Sequence, residues 1–254
     1  MLLAIDIGNS NITLGIYDND YLTLTARLAT STGTTSDEYA VLIKNILDLH
    51  SLNYTLIEDC IISSVVPSVA SSMRKAITLL CDIIPLEIGP GVKTGLNIKI
   101  DNPAQLGADI VAGAVGAISE YNLPCAVIDM GTATTISVIN KSGEFEGVVI
   151  GAGIRLTLKA LTQNTAQLPS VDISEPKSVI GKNTIDSMKS GLVFGSSAML
   201  DGLLDRISEE LGETPTIVAT GGLAKDIIIH CKNDIIYNEN LLLDGLKEIY
   251  ERNK

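Results

Sequence analysis

The sequence predicts an α/β protein made of two duplicated domains, each opening with a β-meander, with the active-site cleft between them. The first observation behind this is an internal repeat. Leu3-Ala4-Ile5-Asp6-Ile7-Gly8-Asn9-Ser10-Asn11 resembles Ala126-Val127-Ile128-Asp129-Met130-Gly131-Thr132-Ala133-Thr134, an offset of about half the 254 residues. Asp6 answers Asp129 and Gly8 answers Gly131. The second observation is a shared continuation beyond each copy. A β-rich stretch (Ile12 to Tyr17; Thr135 to Asn140), a polar turn and a third strand (Tyr21 to Ala29; Phe145 to Ile150) complete a meander. The third is that helical patterns come after both meanders. No low-complexity linker separates the halves, and the expected domains are residues 1–118 and 119–254.

The remaining elements are read in chain order. Ser36-Asp37-Glu38 is a capping start to the apolar-periodic run from Tyr39 to Leu49. A strand is expected from Cys60 to Val66, a helix after Pro67 and a short strand near Leu86. Asn102-Pro103 opens a helical region reaching Tyr121, with proline at a first helical position. In the second half, helices are expected from Ile154 to Leu161 and from Thr184 to Leu211. Thr216 to Thr220 is a strand, Gly221-Gly222 turns into a short helix, and an amphipathic helix from Leu242 to Glu251 closes the chain.

Composition excludes several function classes. A formal net charge of −12 leaves no basic field for binding nucleic acid. An acidic protein that handles an anionic nucleotide needs a local device, either a metal ion or aimed backbone N–H groups. Cys60, Cys81, Cys125 and Cys231 stand singly among aliphatic residues and read as buried, reduced, structural thiols. His50 and His230 are too few and too far apart for a zinc site. No stretch is long and apolar enough for a membrane span, and the N-terminus lacks a basic n-region, so a cytoplasmic protein is expected.

Three glycine turns are the candidates for chemistry. In Asp6-Ile7-Gly8-Asn9-Ser10-Asn11, Gly8 lets backbone N–H groups approach a polyphosphate, and Asn9, Ser10 and Asn11 add short donors. Asp6 at the end of a buried strand suits Mg²⁺, directly or through water. An ordinary hairpin turn explains the same residues. Recurrence as Asp129-Met130-Gly131-Thr132 shifts the balance, because two phosphate loops can clamp one nucleotide. Gly221-Gly222, after the strand Ile217 to Thr220, lets a purine or ribose pack on backbone, though a glycine pair also simply starts helices. Asp109 among Ala, Gly, Ile and Val has the partly desolvated setting of a base. A carboxylate that serves the helix macrodipole is the other reading.

Taken together, Asp6-x-Gly8-Asn9-Ser10, Gly107-Ala108-Asp109, Asp129-x-Gly131-Thr132-Ala133-Thr134-Thr135, Ile180-Gly181-Lys182-Asn183-Thr184 with Ser190-Gly191, and Thr220-Gly221-Gly222 resemble, in order, the type III pantothenate kinases. The resemblance runs from about Leu3 to the C-terminal helix. It implies the actin-like (ribonuclease H-like) fold shared with acetate and sugar kinases, and a homodimer. It also implies transfer of the γ-phosphoryl of ATP to pantothenate, the first step of coenzyme A synthesis. On this resemblance Asp6 organises Mg²⁺, and Gly8 to Asn11 form the first phosphate loop. Asp129 holds a monovalent cation (K⁺ or NH₄⁺), while Gly131 and Thr132 meet phosphate. Gly221 and Gly222 pack on adenosine. Asp109 is the catalytic base, and Gly107, Ala108 and Thr184 contact the acceptor, Thr184 across the dimer interface.

The chain departs from the family pattern at the acceptor side. Ile110 stands where Arg is common after the motif aspartate, Ile100 where Tyr is common, and Ala152 where Pro is common. Three readings remain open: another cation (Lys93, Lys99 or Arg155) recognises the acceptor carboxylate, the acceptor is a different hydroxyl compound, or the chain is a non-catalytic nucleotide-binding paralogue.

Overall fold

The computed structural model describes residues Met1–Lys254. Leu2–Ile7 forms the first strand, β1, with every residue buried except the half-buried Asp6. It pairs antiparallel with β2 (Asn11–Asp18), which pairs antiparallel with β3 (Tyr21–Ala29). Asn19 turns that second hairpin with φ of 54°, a conformation asparagine tolerates better than most residues. On the other side of β1 lie β4 (Asp59–Ser64) and β5 (Leu86–Glu87), both parallel, in the order β3-β2-β1-β4-β5. A continuous aliphatic run is what a central strand covered on both faces requires.

One face of this sheet is covered by α1 (Ser36–Leu49) and α2 (Pro67–Cys81). Leu3, Ile5, Ile7, Cys60 and Ile62 join Ile43, Leu47, Met73 and Ile77 in one cluster. The cap of α1 sits one residue earlier than the sequence suggested. Thr35 accepts from the Glu38 N–H while Glu38 accepts from the Thr35 N–H, a reciprocal capping box. The expected helix from Asn102 to Tyr121 is broken. Pro103–Gln105 is a 3-10 turn, Leu106 is extended, and α3 begins afresh at Ala108 and runs to Glu120. Proline nucleates a turn there without propagating it, and the new helix start puts Asp109 in a first turn.

The second sheet gathers β6 (Asn97–Ile98), β7 (Cys125–Met130), β8 (Ala133–Ile139), β9 (Glu144–Ala152), β10 (Thr216–Thr220) and β11 (Ile236–Tyr237). Its order is β11-β10-β7-β8-β9-β6. Without β6 this repeats the first sheet strand for strand: a meander, then two parallel strands beyond the meander's first. β7 also repeats the burial of β1, with Asp129 as its half-buried member. The third strand is longer than the expected Phe145 to Ile150. Its helices are α4 (Ile154–Asn164), α5 (Thr184–Leu211) and α6 (Ala224–Ile228). The Asn183 side chain caps α5 by accepting from the Asp186 N–H, and Gly212 ends it in the left-handed region.

The last helix, α7 (Leu241–Glu251), does not stay with the second sheet. The chain divides into unit one (Met1–Leu96, Asp101–Ser119, Leu241–Lys254) and unit two (Asn97–Ile100, Glu120–Asn240). The expected split into residues 1–118 and 119–254 is corrected in this respect. The reason is packing: Leu241, Leu243, Leu246 and Ile249 are buried on the free face of the first sheet, each worth about 1.5–3 kcal/mol. The Tyr17 hydroxyl of β2 donates to Asp244 Oδ1 at 2.7 Å. Helix backbones meet here, since a Cβ on Gly245 would overlap the Ala112 carbonyl and one on Gly116 the Leu241 carbonyl.

Four free thiols agree with reduced cysteines, but only Cys60 and Cys125 are buried; Cys81 and Cys231 are half-buried. Burial pushes the Cys125 and Cys231 thiols up to about 12. No helix is long and apolar enough to cross a membrane.

The helix contact makes a stability prediction. Gly245→Ala should cost about 1–3 kcal/mol through overpacking. Gly202→Ala, in α5 with open space around it, should be neutral or stabilise by up to about 1 kcal/mol. Urea denaturation of both variants checks the contrast; equal stabilities would refute it.

Candidate active site

In unit one, Asp6 is the penultimate residue of β1, in register with Thr13 of β2 and Ser63 of β4. Alternation along β1 turns Leu3, Ile5 and Ile7 to one face and Asp6 to the other, the face to which α7 is docked through Tyr17. Gly8 N–H donates to the Asn11 carbonyl at 3.0 Å and closes the turn. Thr30, just beyond β3, holds the loop from outside: its hydroxyl donates to the Gly8 carbonyl at 2.7 Å and its N–H to the Ser10 carbonyl at 3.1 Å. Asn9, Ser10 and Asn11 are left exposed at the tip.

Asp109 reaches the same end of this sheet. The Val65 N–H, just past β4, donates to the Ile7 carbonyl at 3.1 Å. A Cβ on Gly107 would stand 3.7 Å from Val65 Cγ1 and would overlap Asp109 Oδ1. The Asp109 carboxylate folds back over Gly107, so a methyl group there would force the carboxylate to move. Oδ1 accepts from the Ile110 N–H at 2.8 Å, which fits the helix-start role, while the half-buried carboxylate keeps its second oxygen for other chemistry. Ala108 and Ile110 are half-buried beside it.

Unit two repeats the arrangement. Asp129 is penultimate on β7, in register with Thr135 of β8 and Thr220 of β10. The Gly131 N–H donates to the Ala133 carbonyl at 3.0 Å. The second loop is one residue shorter than the first: three residues separate the paired Met130 and Thr134, four separate Ile7 and Ile12. Gly221, with φ of +100°, lies so close that a Cβ would be 2.7 Å from the Met130 backbone and 2.8 Å from Asp129 Oδ1. The Gly153 N–H, after β9, donates to the Thr132 carbonyl at 3.2 Å. The fold thus gathers Asp129, Gly131, Thr132 and Gly221 at one strand end, with Thr132 and Gly222 exposed.

Other candidates lie apart from that group. Thr184, the first residue of α5, lines a cavity of about 680 Å³ with Thr157, Leu161, Leu168, Lys182 and Met188, and none of the loop residues takes part. Ile100 is half-buried just after β6. Of the three cations weighed as carboxylate partners, Lys99 is engaged with Glu144 at 3.1 Å. Lys93 and Arg155 are exposed, Arg155 in the first turn of α4.

Sequence reasoning missed Ser63, Thr30 and Gly153. Their local sequence holds no motif, and only strand register and loop hydrogen bonds bring them to the site. No cluster of three or more His, Cys, Asp or Glu forms a metal cage. A carboxylate flanked by hydroxyls is nonetheless a hard-oxygen donor set of the kind Mg²⁺ accepts, since Mg²⁺ takes one or two carboxylates and fills its shell with water and phosphate.

Comparison with known proteins places the whole chain in a family. A family model described as type III pantothenate kinase matches residues 2–206. A type III pantothenate kinase of Exiguobacterium sp. is 41% identical over 254 residues, covering 100% of both chains. One from Halalkalibacterium halodurans is 42% identical over 253 residues, again with 100% of each chain covered. Among solved structures, component A of the (R)-2-hydroxyglutaryl-CoA dehydratase of Acidaminococcus fermentans aligns with a TM-score of 0.55 at 13% identity, covering 100% of this chain and 99% of that one. That likeness supports the two-domain actin-like fold. With two sheets of one topology, paired Asp-x-Gly loops and full-length identity above 40%, the chain belongs to the type III pantothenate kinase family.

Proposed function

We propose that this chain transfers the γ-phosphoryl group of ATP to the primary hydroxyl of pantothenate, giving 4′-phosphopantothenate in the first step of coenzyme A synthesis. The observation that carries the reading is the seat of Asp109, folded over Gly107 at the strand end that also bears Asp6. Phosphoryl transfer needs positioning, charge neutralisation and a carboxylate to take the proton of the attacking hydroxyl. Asp109 takes that proton. The N–H groups of Gly8 and Gly131 close the two turns, and the backbone N–H groups at Asn9, Ser10 and Thr132 hold phosphate oxygens, with Thr132 adding its hydroxyl. Gly221 and Gly222 let the adenosine lie on backbone. Asp6 would hold Mg²⁺, which supplies neutralisation of the phosphate charge when bound. Asp129 would hold K⁺ or NH₄⁺.

Ile100 and Ile110 offer the acceptor apolar surface instead of charge, so a cation elsewhere meets the carboxylate of pantothenate. Arg155, exposed and free of ion pairs, is more available than the paired Lys99. The functional form is a homodimer in which Thr184 contacts the acceptor across the interface. Support comes from exposed apolar side chains close to it in sequence, Val179, Ile180 and Ile185, since contiguous exposed apolar surface marks interaction sites. Light scattering should give twice the 26.9 kDa chain mass; a monomer at assay concentration would remove that part of the proposal.

The central test is ADP release with Mg²⁺ and K⁺, comparing pantothenate with a panel of small alcohols; ATP binding without turnover on pantothenate would sink the assignment. Asp109→Asn should lower kcat by about 10²–10⁴ with little change in nucleotide affinity. Gly107→Ala, which displaces the same carboxylate, should cost about 10² in kcat at nearly unchanged melting temperature. For the cation, Asp129→Ala should abolish K⁺ activation, and an unaltered K⁺ dependence would count against the role given to it.

A further inference from the structure

Ser63 is wholly buried and its hydroxyl has no hydrogen-bond partner. Its neighbour Ser64 is different, accepting from the Val66 N–H at 3.0 Å. A buried hydroxyl without a partner opposes folding, and such groups are few in native proteins. Alanine would fill the same place at no such cost, so the hydroxyl needs another reason to be there.

Its position supplies one. Ser63 on β4 is in register with Asp6 on β1, and side chains at paired positions of parallel strands leave the sheet on the same face. The first pair, Leu2 with Asp59, opens the ladder at its far end, and the three pairs between it and Asp6 are apolar: Leu3 with Cys60, Ala4 with Ile61, Ile5 with Ile62. Polarity returns where Asp6 stands, on both strands at once. Thr13 flanks Asp6 on the other side, so a row of hydroxyl, carboxylate and hydroxyl crosses three strands. Unit two builds the same row from Thr135, Asp129 and Thr220, and Thr220 is likewise buried. In both units, then, the parallel neighbour of the strand-end aspartate carries a buried hydroxyl.

We infer that Ser63 is a positioning residue for the magnesium–nucleotide site: its hydroxyl is the hydrogen-bond partner of a water in the shell of the Mg²⁺ held at Asp6. The inference rests on the assignment of Mg²⁺ to Asp6 made above. Mg²⁺ gives up its waters reluctantly and is held largely through them, so a fixed hydroxyl beside the carboxylate orients the cation without touching it.

The test uses the full chain, with ADP and MgCl₂ as probes. For Ser63→Ala, the Mg²⁺ concentration giving half-maximal ADP binding by calorimetry should rise about two- to tenfold, the range for one lost hydrogen bond. ADP affinity in EDTA should match wild type, and the ligand-free melting temperature should be equal or higher. A structural serine would do the reverse, lowering the melting temperature with no effect on the Mg²⁺ midpoint. An unchanged midpoint overturns the inference. Asp6→Asn separates the two levels: if it shifts the midpoint and Ser63→Ala does not, only the role of Ser63 falls, and if neither shifts it, Mg²⁺ is not held at Asp6.

Discussion

Unit one depends on a contact between backbones. Gly245 of α7 and Gly116 of α3 let two helices approach until a methyl group on either would strike the other's carbonyl. That approach seats Leu241, Leu243, Leu246 and Ile249 on the sheet face away from α1 and α2. Without it the face bearing Asp6 and Ser63 would lie open to water. The surroundings of that strand end thus depend on small residues on two helices remote from it in sequence.

The two units solve one problem twice. Each has a buried strand with a penultimate carboxylate, a tight turn closed by a glycine N–H, and a parallel neighbour that brings in a hydroxyl. Their differences are informative. The first loop has four residues and is braced by Thr30, whereas the second has three and is hemmed in by Gly153 and Gly221. A longer loop with exposed Asn9, Ser10 and Asn11 offers side-chain donors; a shorter one pressed against the Gly221 backbone offers mainly amides.

Much of this was legible in the sequence because it is local. The Asp-x-Gly repeat, both meanders, and the spans Thr184–Leu211 and Thr216–Thr220 come from periodicity and turn chemistry over a few residues. The segment from Asn102 to Tyr121 was not, since Pro103 signals a helix start and nothing short-range says that Leu106 turns extended. The amphipathic pattern near Leu242 announced a helix but not its destination, because an apolar stripe does not say which sheet it will cover. Ser63 was invisible for the deepest reason. Its meaning lies in the register between strands more than fifty residues apart, and a serine near a valine pair carries no local signal. At Ile110 the departure from the family pattern was readable at once, but its consequence for the acceptor was not.

Because α7 rejoins unit one after all of unit two has been made, unit one is discontinuous along the chain. During translation its sheet, α1, α2 and α3 emerge first and must wait, one face uncovered, while about 120 residues of another unit are added. Unit two, by contrast, lacks only the short edge strand β6 from upstream and can close as soon as β11 appears. The nascent chain is therefore expected to complete its later half before its earlier one, and chaperones or crowding would act on the waiting sheet of unit one.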